Sequence, residues 1–102
     1  MSVIKELRSK FHKDEFEFSK HAVDQTILRE ISVQEIRNAV RVSEIIEDYP
    51  DDKYYPSCLL LGFTNKNRPL HIHCSYPTRD LVKVVTVYEP DPARWIDYKI
   101  RR

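Results

Sequence analysis

Residues 58–88 run CLLLGFTNKNRPLHIHCSYPTRDLVKVVTVY, and the reading of this stretch decides the fold. Cys58 to Thr64 is nearly all apolar, the pattern of a central strand covered on both faces. Asn65-Lys-Asn-Arg-Pro69 has hairpin-loop chemistry. Arg68-Pro-Leu-His-Ile-His-Cys-Ser-Tyr76 then reads as a strand with His71 and His73 on one face and Leu70, Ile72 and Cys74 on the other. A second turn at Pro77-Thr-Arg-Asp80 leads into Leu81-Val-Lys-Val-Val-Thr-Val-Tyr88, the strongest strand signal in the chain. Connections this short imply antiparallel neighbours.

Upstream, Ile45-Ile-Glu-Asp-Tyr49 alternates and is stopped by Pro50-Asp-Asp52, which predicts one more strand. Before residue 43 the period becomes helical. Ile4, Leu7 and Phe11 predict an amphipathic helix ending near His12. Glu15-Phe-Glu-Phe18 is a short strand candidate. Ser19 suits a helix N-cap, with Val23, Ile27 and the flanking Ala22 and Leu28 as the buried stripe. Ser32-Val-Gln-Glu35 is a capping box opening a helix whose Val33, Ile36 and Val40 face inward.

The expected architecture is α+β, in one domain of residues 1–102. Its parts are an N-terminal amphipathic helix (1–13), a short strand and two helices (15–42), and antiparallel strands with a C-terminal cover (43–98). A sheet of about four antiparallel strands carries the helices on one face. Trp95, beyond Pro90 and Pro92, folds back over a sheet edge or face. Tyr49, Tyr54, Tyr55 and Tyr76 fill the core rim. The opposite face is expected to be partly open, with His71 and His73 on it.

Composition excludes several classes. The one glycine, Gly62, rules out a glycine-rich phosphate loop or dinucleotide fingerprint. No apolar run approaches membrane-spanning length, and the first residues lack signal-peptide architecture, so a cytoplasmic protein is expected. Cys58 and Cys74 read as reduced, buried packing residues. A metal reading through His71, His73 and Cys74 is weak, because residues 73 and 74 point to opposite faces and no fourth ligand is evident. Neither metal nor cofactor is therefore expected. Net charge is +1, but residues 1–52 carry 8 Lys/Arg against 12 Asp/Glu, whereas residues 53–102 carry 9 against 4. That asymmetry suits a positive sheet half facing an anionic partner. Its surplus lies at Arg68, Arg79, Lys83, Arg94 and Arg101-Arg102.

His71 and His73 are the best pointers to chemistry, two groups able to titrate near neutral pH on one rigid strand. They suit base and acid in phosphodiester transesterification, which needs no metal. His21, just after the Ser19 cap, suits a phosphate contact or proton donor. Arg68, Arg79 and Lys83 are candidate phosphate clamps. Tyr88 could stack a base or donate a proton.

Together, Phe18-Ser-Lys-His21, then Arg29-Glu-Ile-Ser32 after seven residues, Arg68-Pro-Leu-His71, and Val85-Thr-Val-Tyr-Glu-Pro-Asp-Pro-Ala-Arg-Trp95 resemble the domain of unknown function 4258 family. The resemblance spans roughly residues 15–102. That family is similar to the RelE, BrnT and MqsR toxins, grouped with barnase-like metal-independent ribonucleases. The resemblance implies a RelE-like fold and a bacterial toxin acting as an mRNA endonuclease, neutralised by an antitoxin, often a zinc-finger protein of the MqsA type. By position, His21 and Arg29 match the family's helical motif, and His71 and Tyr88 its strand motifs. The expected catalytic set is His21, Arg29, His71 and Tyr88, converging on one open pocket. RNA contacts are expected from Arg68, His73, Arg79 and Lys83. RelE-type toxins are usually strongly basic and this chain is near neutral, which points to RNA delivered by the ribosome or another partner. The alternatives are a non-catalytic RNA- or protein-binding module with the same fold, and a subunit that self-associates through its first helix.

Overall fold

The computed structural model of the chain describes residues 2–102. In chain order its elements are α1 (Val3–His12), β1 (Phe16–Phe18), α2 (Lys20–Leu28), α3 (Val33–Arg41), β2 (Glu44–Tyr49), β3 (Ser57–Phe63), β4 (Pro69–Ser75), β5 (Val82–Tyr88), β6 (Trp95–Ile96) and β7 (Ile100–Arg101). The fold is α+β. Five strands form one sheet in the order β1-β5-β4-β3-β2, and β6 pairs with β7 in a separate hairpin.

Strands β2 to β5 form the antiparallel meander that their short connections require. The sheet is nevertheless mixed and five-stranded, which corrects the expectation of about four antiparallel strands. β1 lies parallel to β5, with Phe16 opposite Val82 and Phe18 opposite Val84. The short-connection argument never applied to β1, because two helices and three strands separate it from its partner.

Helix starts were legible. Ser2, Ser19 and Ser32 each accept a backbone N–H of the following turn, and the Ser32–Glu35 capping box is complete in both directions. α1 buries Leu7 and Phe11 in the shared core. α3 buries Ile36, Ala39 and Val40 against β3, while Val33, expected inside, is 40% exposed at the first turn.

The roll of α2 differs from expectation. Only Ala22 is buried, whereas Val23, Ile27 and Leu28 are 41%, 72% and 74% exposed. Ser19 explains this: its N–H donates to the Val84 carbonyl at 2.9 Å and its hydroxyl to the Val85 carbonyl at 2.8 Å. Pinned at its first turn, the helix presents Ala22 and the half-buried Gln25 and Thr26 to the sheet, an i, i+3, i+4 face. Apolar character alone did not choose the contact.

Leu70, Ile72 and Cys74 join the helix-side core, and His71 and His73 take the other face, as the period-2 reading required. That other face is not open. Leu59, Leu61 and His71 are buried, and Trp95 covers the sheet there as anticipated. Tyr54, expected at the core rim, is 80% exposed. Tyr55 is half-buried with the Arg79 guanidinium 5.4 Å above its ring.

Candidate functional site

The site begins with β4 and β5. His71 stands opposite Tyr88 in the strand register, so both side chains share the face away from the helices. His71 Nδ1 lies 3.1 Å from the Tyr88 hydroxyl, and its Nε2 lies 2.6 Å from the Tyr98 carbonyl oxygen. A carbonyl only accepts, so Nε2 carries the proton and Nδ1 accepts from the Tyr88 O–H. The Trp95 ring meets His71 edge-on, centroids 4.5 Å apart. His71 is 0% exposed. Burial holds its pKa below the usual imidazole value, opposed by the Tyr98 carbonyl and by Glu47. At neutral pH it is an uncharged, oriented acceptor. Burial raises the Tyr88 pKa, so the phenol keeps its proton.

The cover over His71 comes from the β6–β7 hairpin. Asp97 and Tyr98 sit at φ 51° and 63°, the left-handed region that costs a non-glycine residue about 1 kcal/mol or more. That conformation aims the Tyr98 carbonyl at His71. Arg101 fastens the hairpin with two bonds to Glu47, at 2.8 and 3.0 Å, and its guanidinium stands 4.7 Å over the Trp95 ring. Glu47 is held below the ordinary carboxylate range chiefly by Arg101. Burial, then the Glu47 hydrogen bond, pushes Tyr49 up to about 12.

Beside this assembly lies a cleft of about 670 Å³ lined by Arg29, Tyr88, Glu89, Asp91, Ala93, Arg94, Trp95, Arg101 and Arg102. Its volume is in the range of ordinary ligand sites. Of the expected catalytic residues, Arg29 and Tyr88 line it, and His71, outside the lining, is hydrogen-bonded to Tyr88 from the neighbouring strand. His21 does not line it. It is exposed at the opposite end of α2 from Arg29, about 12 Å away along the helix axis. Convergence on one open pocket therefore holds for Arg29 and Tyr88, with His71 buried rather than open.

The expected RNA-contacting residues are dispersed. Arg68 is wholly engaged by the protein. It donates to the Arg29 and Glu30 carbonyls at 2.9 and 3.0 Å, and pairs with Glu35 at 3.1 Å and Glu89 at 3.3 Å. It closes the α2–α3 connection and leaves its fork no room for phosphate. Lys83 pairs with Glu17 across β1 and β5 at 2.8 Å. Arg79 lies in the β4–β5 turn, at the far end of β4 from Arg68, over Tyr55. His73 is half-buried. Its Nε2 is 2.9 Å from the Ser57 hydroxyl, which donates to Asp52 at 2.7 Å.

Nucleophilic cysteine chemistry finds no support. Cys58 and Cys74 are fully buried opposite one another, and the hydrogen bond between them together with burial pushes the Cys74 thiol well up, away from thiolate. Among the described residues no group of three or more His, Cys, Asp or Glu side chains is arranged to hold a metal. None of the described helices is long and apolar enough to cross a membrane.

The buried histidines make a pH prediction. Burial lowers the pKa of both His71 and His73 relative to the unfolded chain, where imidazoles titrate near 6.5. Above that value both states are neutral and stability is at its plateau. As pH falls below it the unfolded chain binds protons that the native state refuses, so stability drops. Urea denaturation should show a midpoint falling between pH 7 and 5, above the window in which the lowered Glu35 and Glu47 titrate. His71→Gln should flatten that slope. An unchanged slope would contradict the neutral, buried assignment.

The family model described as Domain of unknown function (DUF4258) matches residues 18–89, about seven-tenths of the chain. The chain belongs to this family. The match takes in α2, α3 and the meander through Tyr88, and leaves α1 and the C-terminal cover outside it. No curated protein and no solved structure matches the chain. The arginines of the C-terminal segment, Arg94, Arg101 and Arg102, were visible in the sequence only as surplus charge. No periodicity in residues 90–102 signals that they fold back onto the sheet.

Proposed function

We propose that this protein is a toxin-like, metal-independent endoribonuclease of a bacterial toxin–antitoxin pair, acting in the cytoplasm. The observation that carries this reading is the Tyr88–His71–Tyr98 carbonyl relay, whose outer member, Tyr88, lines an arginine-lined cleft. The RelE-type likeness of the family's motifs supports it, and helices on one face of a mainly antiparallel sheet are compatible with that likeness.

In this mechanism the ribose O2′ attacks the adjacent phosphorus. The O2′–P bond forms, the P–O5′ bond breaks, and the products are a 2′,3′-cyclic phosphate and a 5′-hydroxyl. Tyr88 Oη takes the 2′-hydroxyl proton while passing its own to His71 Nδ1. Burial disfavours the transient imidazolium so formed, and the Tyr98 carbonyl and Glu47 offset part of that cost. Water entering the cleft protonates O5′, and His71 returns its proton through Tyr88 to the hydroxide left behind. Arg29 stabilises the charge on the pentavalent phosphorus. No metal or cofactor takes part.

The net charge of +1 gives little general attraction to RNA, which favours delivery of mRNA on the ribosome. A cognate antitoxin, of the MqsA zinc-finger type by the family resemblance, would be the controlling partner. The test is cleavage of naked and ribosome-bound RNA in EDTA, with product ends analysed. Cyclic phosphate termini are expected. Absence of product on both substrates would remove the activity.

A second reading, a non-catalytic RNA- or protein-binding module, is favoured by the complete burial of His71 and the full engagement of Arg68. It predicts RNA or protein binding through the cleft with no product under any condition.

A further inference from the structure

The arginines of the cleft are not equivalent. Arg101 is neutralised by Glu47. Of the two cleft carboxylates, Glu89 is paired with Arg68, and Asp91 accepts the Ala93 N–H at 2.9 Å. Among the described residues no carboxylate is ion-paired with Arg29, Arg94 or Arg102. These three stand in two groups. Arg29 follows α2 and its Nε donates to Gln25 at 2.6 Å. Arg94 and Arg102 are tied together by the Arg102 N–H donating to the Arg94 carbonyl at 2.9 Å, and Arg102 Nε donates to the Pro92 carbonyl at 2.9 Å. Arg94 and Arg102 thus line one cleft without being ion-paired, and the single unpaired carboxylate beside them, Asp91, leaves the charge of the three unpaired arginines in excess.

We propose that Arg94 and Arg102 form a second phosphate subsite, next to the Tyr88–Arg29 end of the cleft, holding the phosphate adjacent to the scissile one in single-stranded RNA. The inference rests on the ribonuclease reading for the identity of the ligand. Planar guanidinium forks suit phosphate oxygens. Two separated cationic groups in one cleft match a ligand whose charges recur along a chain better than a single free phosphate. The substrate is then an internal phosphodiester, and a lone mononucleotide would fill only half of the site.

Fluorescence anisotropy with labelled 2′-O-methyl RNA tests this, because ligands without a free 2′-hydroxyl bind without being cleaved. The wild-type protein should bind a tetranucleotide about tenfold more tightly than a dinucleotide, the weight of one added charge-assisted contact. In the Arg94→Ala/Arg102→Ala double variant that advantage should collapse, and the salt slope for the tetranucleotide should fall by about 0.7. Both side chains are exposed, so the variant should keep the wild-type melting temperature. Equal binding of the two lengths by the wild type, a preserved length preference in the variant, or a tetra-aspartate binding as tightly as the tetranucleotide would each overturn the subsite. Length-dependent binding without cleavage of unmodified RNA would sink the ribonuclease reading alone. Cleavage without length dependence would sink the subsite alone.

Discussion

Gly62→Ala should destabilise this protein by about 3 kcal/mol or more, the upper end of what overpacking costs. A Cβ at residue 62 would lie 2.0 Å from the Ala39 carbonyl oxygen and 2.6 Å from its carbonyl carbon. These are backbone atoms of α3, which no rotamer change can move aside. The strand and helix touch main chain to main chain here, so α3 must lift from the sheet or β3 must bend. Either movement opens the contacts of Ile36, Ala39 and Val40, all fully buried. The unfolded chain loses some freedom on gaining a methyl group, worth about 0.4–1 kcal/mol in favour of folding, which is too little to compensate. For a chain of this size the melting temperature should fall by roughly 12–24 °C. Urea and thermal unfolding measure this directly, and a loss below about 1 kcal/mol would show that the helix–strand approach is looser than described.

Tyr88→Phe should reduce RNA cleavage by about 10²-fold or more while leaving the fold intact, the scale on which removal of a proton-transfer group acts. The substitution deletes one oxygen and keeps the ring that packs against His71. It also leaves His71 Nδ1 without its donor, so a small loss of stability, about 1 kcal/mol, should accompany it. The separation of the two effects is the informative part. A structural role alone would lower the unfolding midpoint without changing the rate per folded molecule. Cleavage by folded Tyr88→Phe at the wild-type rate would exclude the relay, and His71 would then be a core residue.

The strand that carries the histidines was legible because a period of two leaves no freedom: alternate residues take alternate faces. Capping serines were legible for a similar reason, since their chemistry acts within one turn. What surrounded them was not. Apolar residues at 23, 27 and 28 looked like a buried stripe, but the two bonds from Ser19 to β5 set the roll of α2 and buried Ala22 instead. Arg68 looked like a free loop cation, and four contacts contributed by distant residues claim it. The C-terminal cover was the largest omission. Trp95 announced that something folds back. However, a hairpin turning through Asp97 and Tyr98 at positive φ carries no glycine to mark it. His71 was therefore assigned to the right face and the wrong exposure. Tyr88 and Arg29 were placed together by family motif rather than by any local pattern, and the structure brings both to one cleft.

The parallel pairing of β1 with β5 has a consequence for how the molecule comes into being. Phe16 finds Val82 some 66 positions later in the chain, so the sheet edge cannot close until most of the polypeptide has emerged from its synthesis machinery. Such distant pairing slows the final stage of folding, because the long intervening loop must be closed first. The N-terminal third is left waiting with Phe11, Phe16 and Phe18 unsheltered. Maturation of that edge would then trail the chain's own birth.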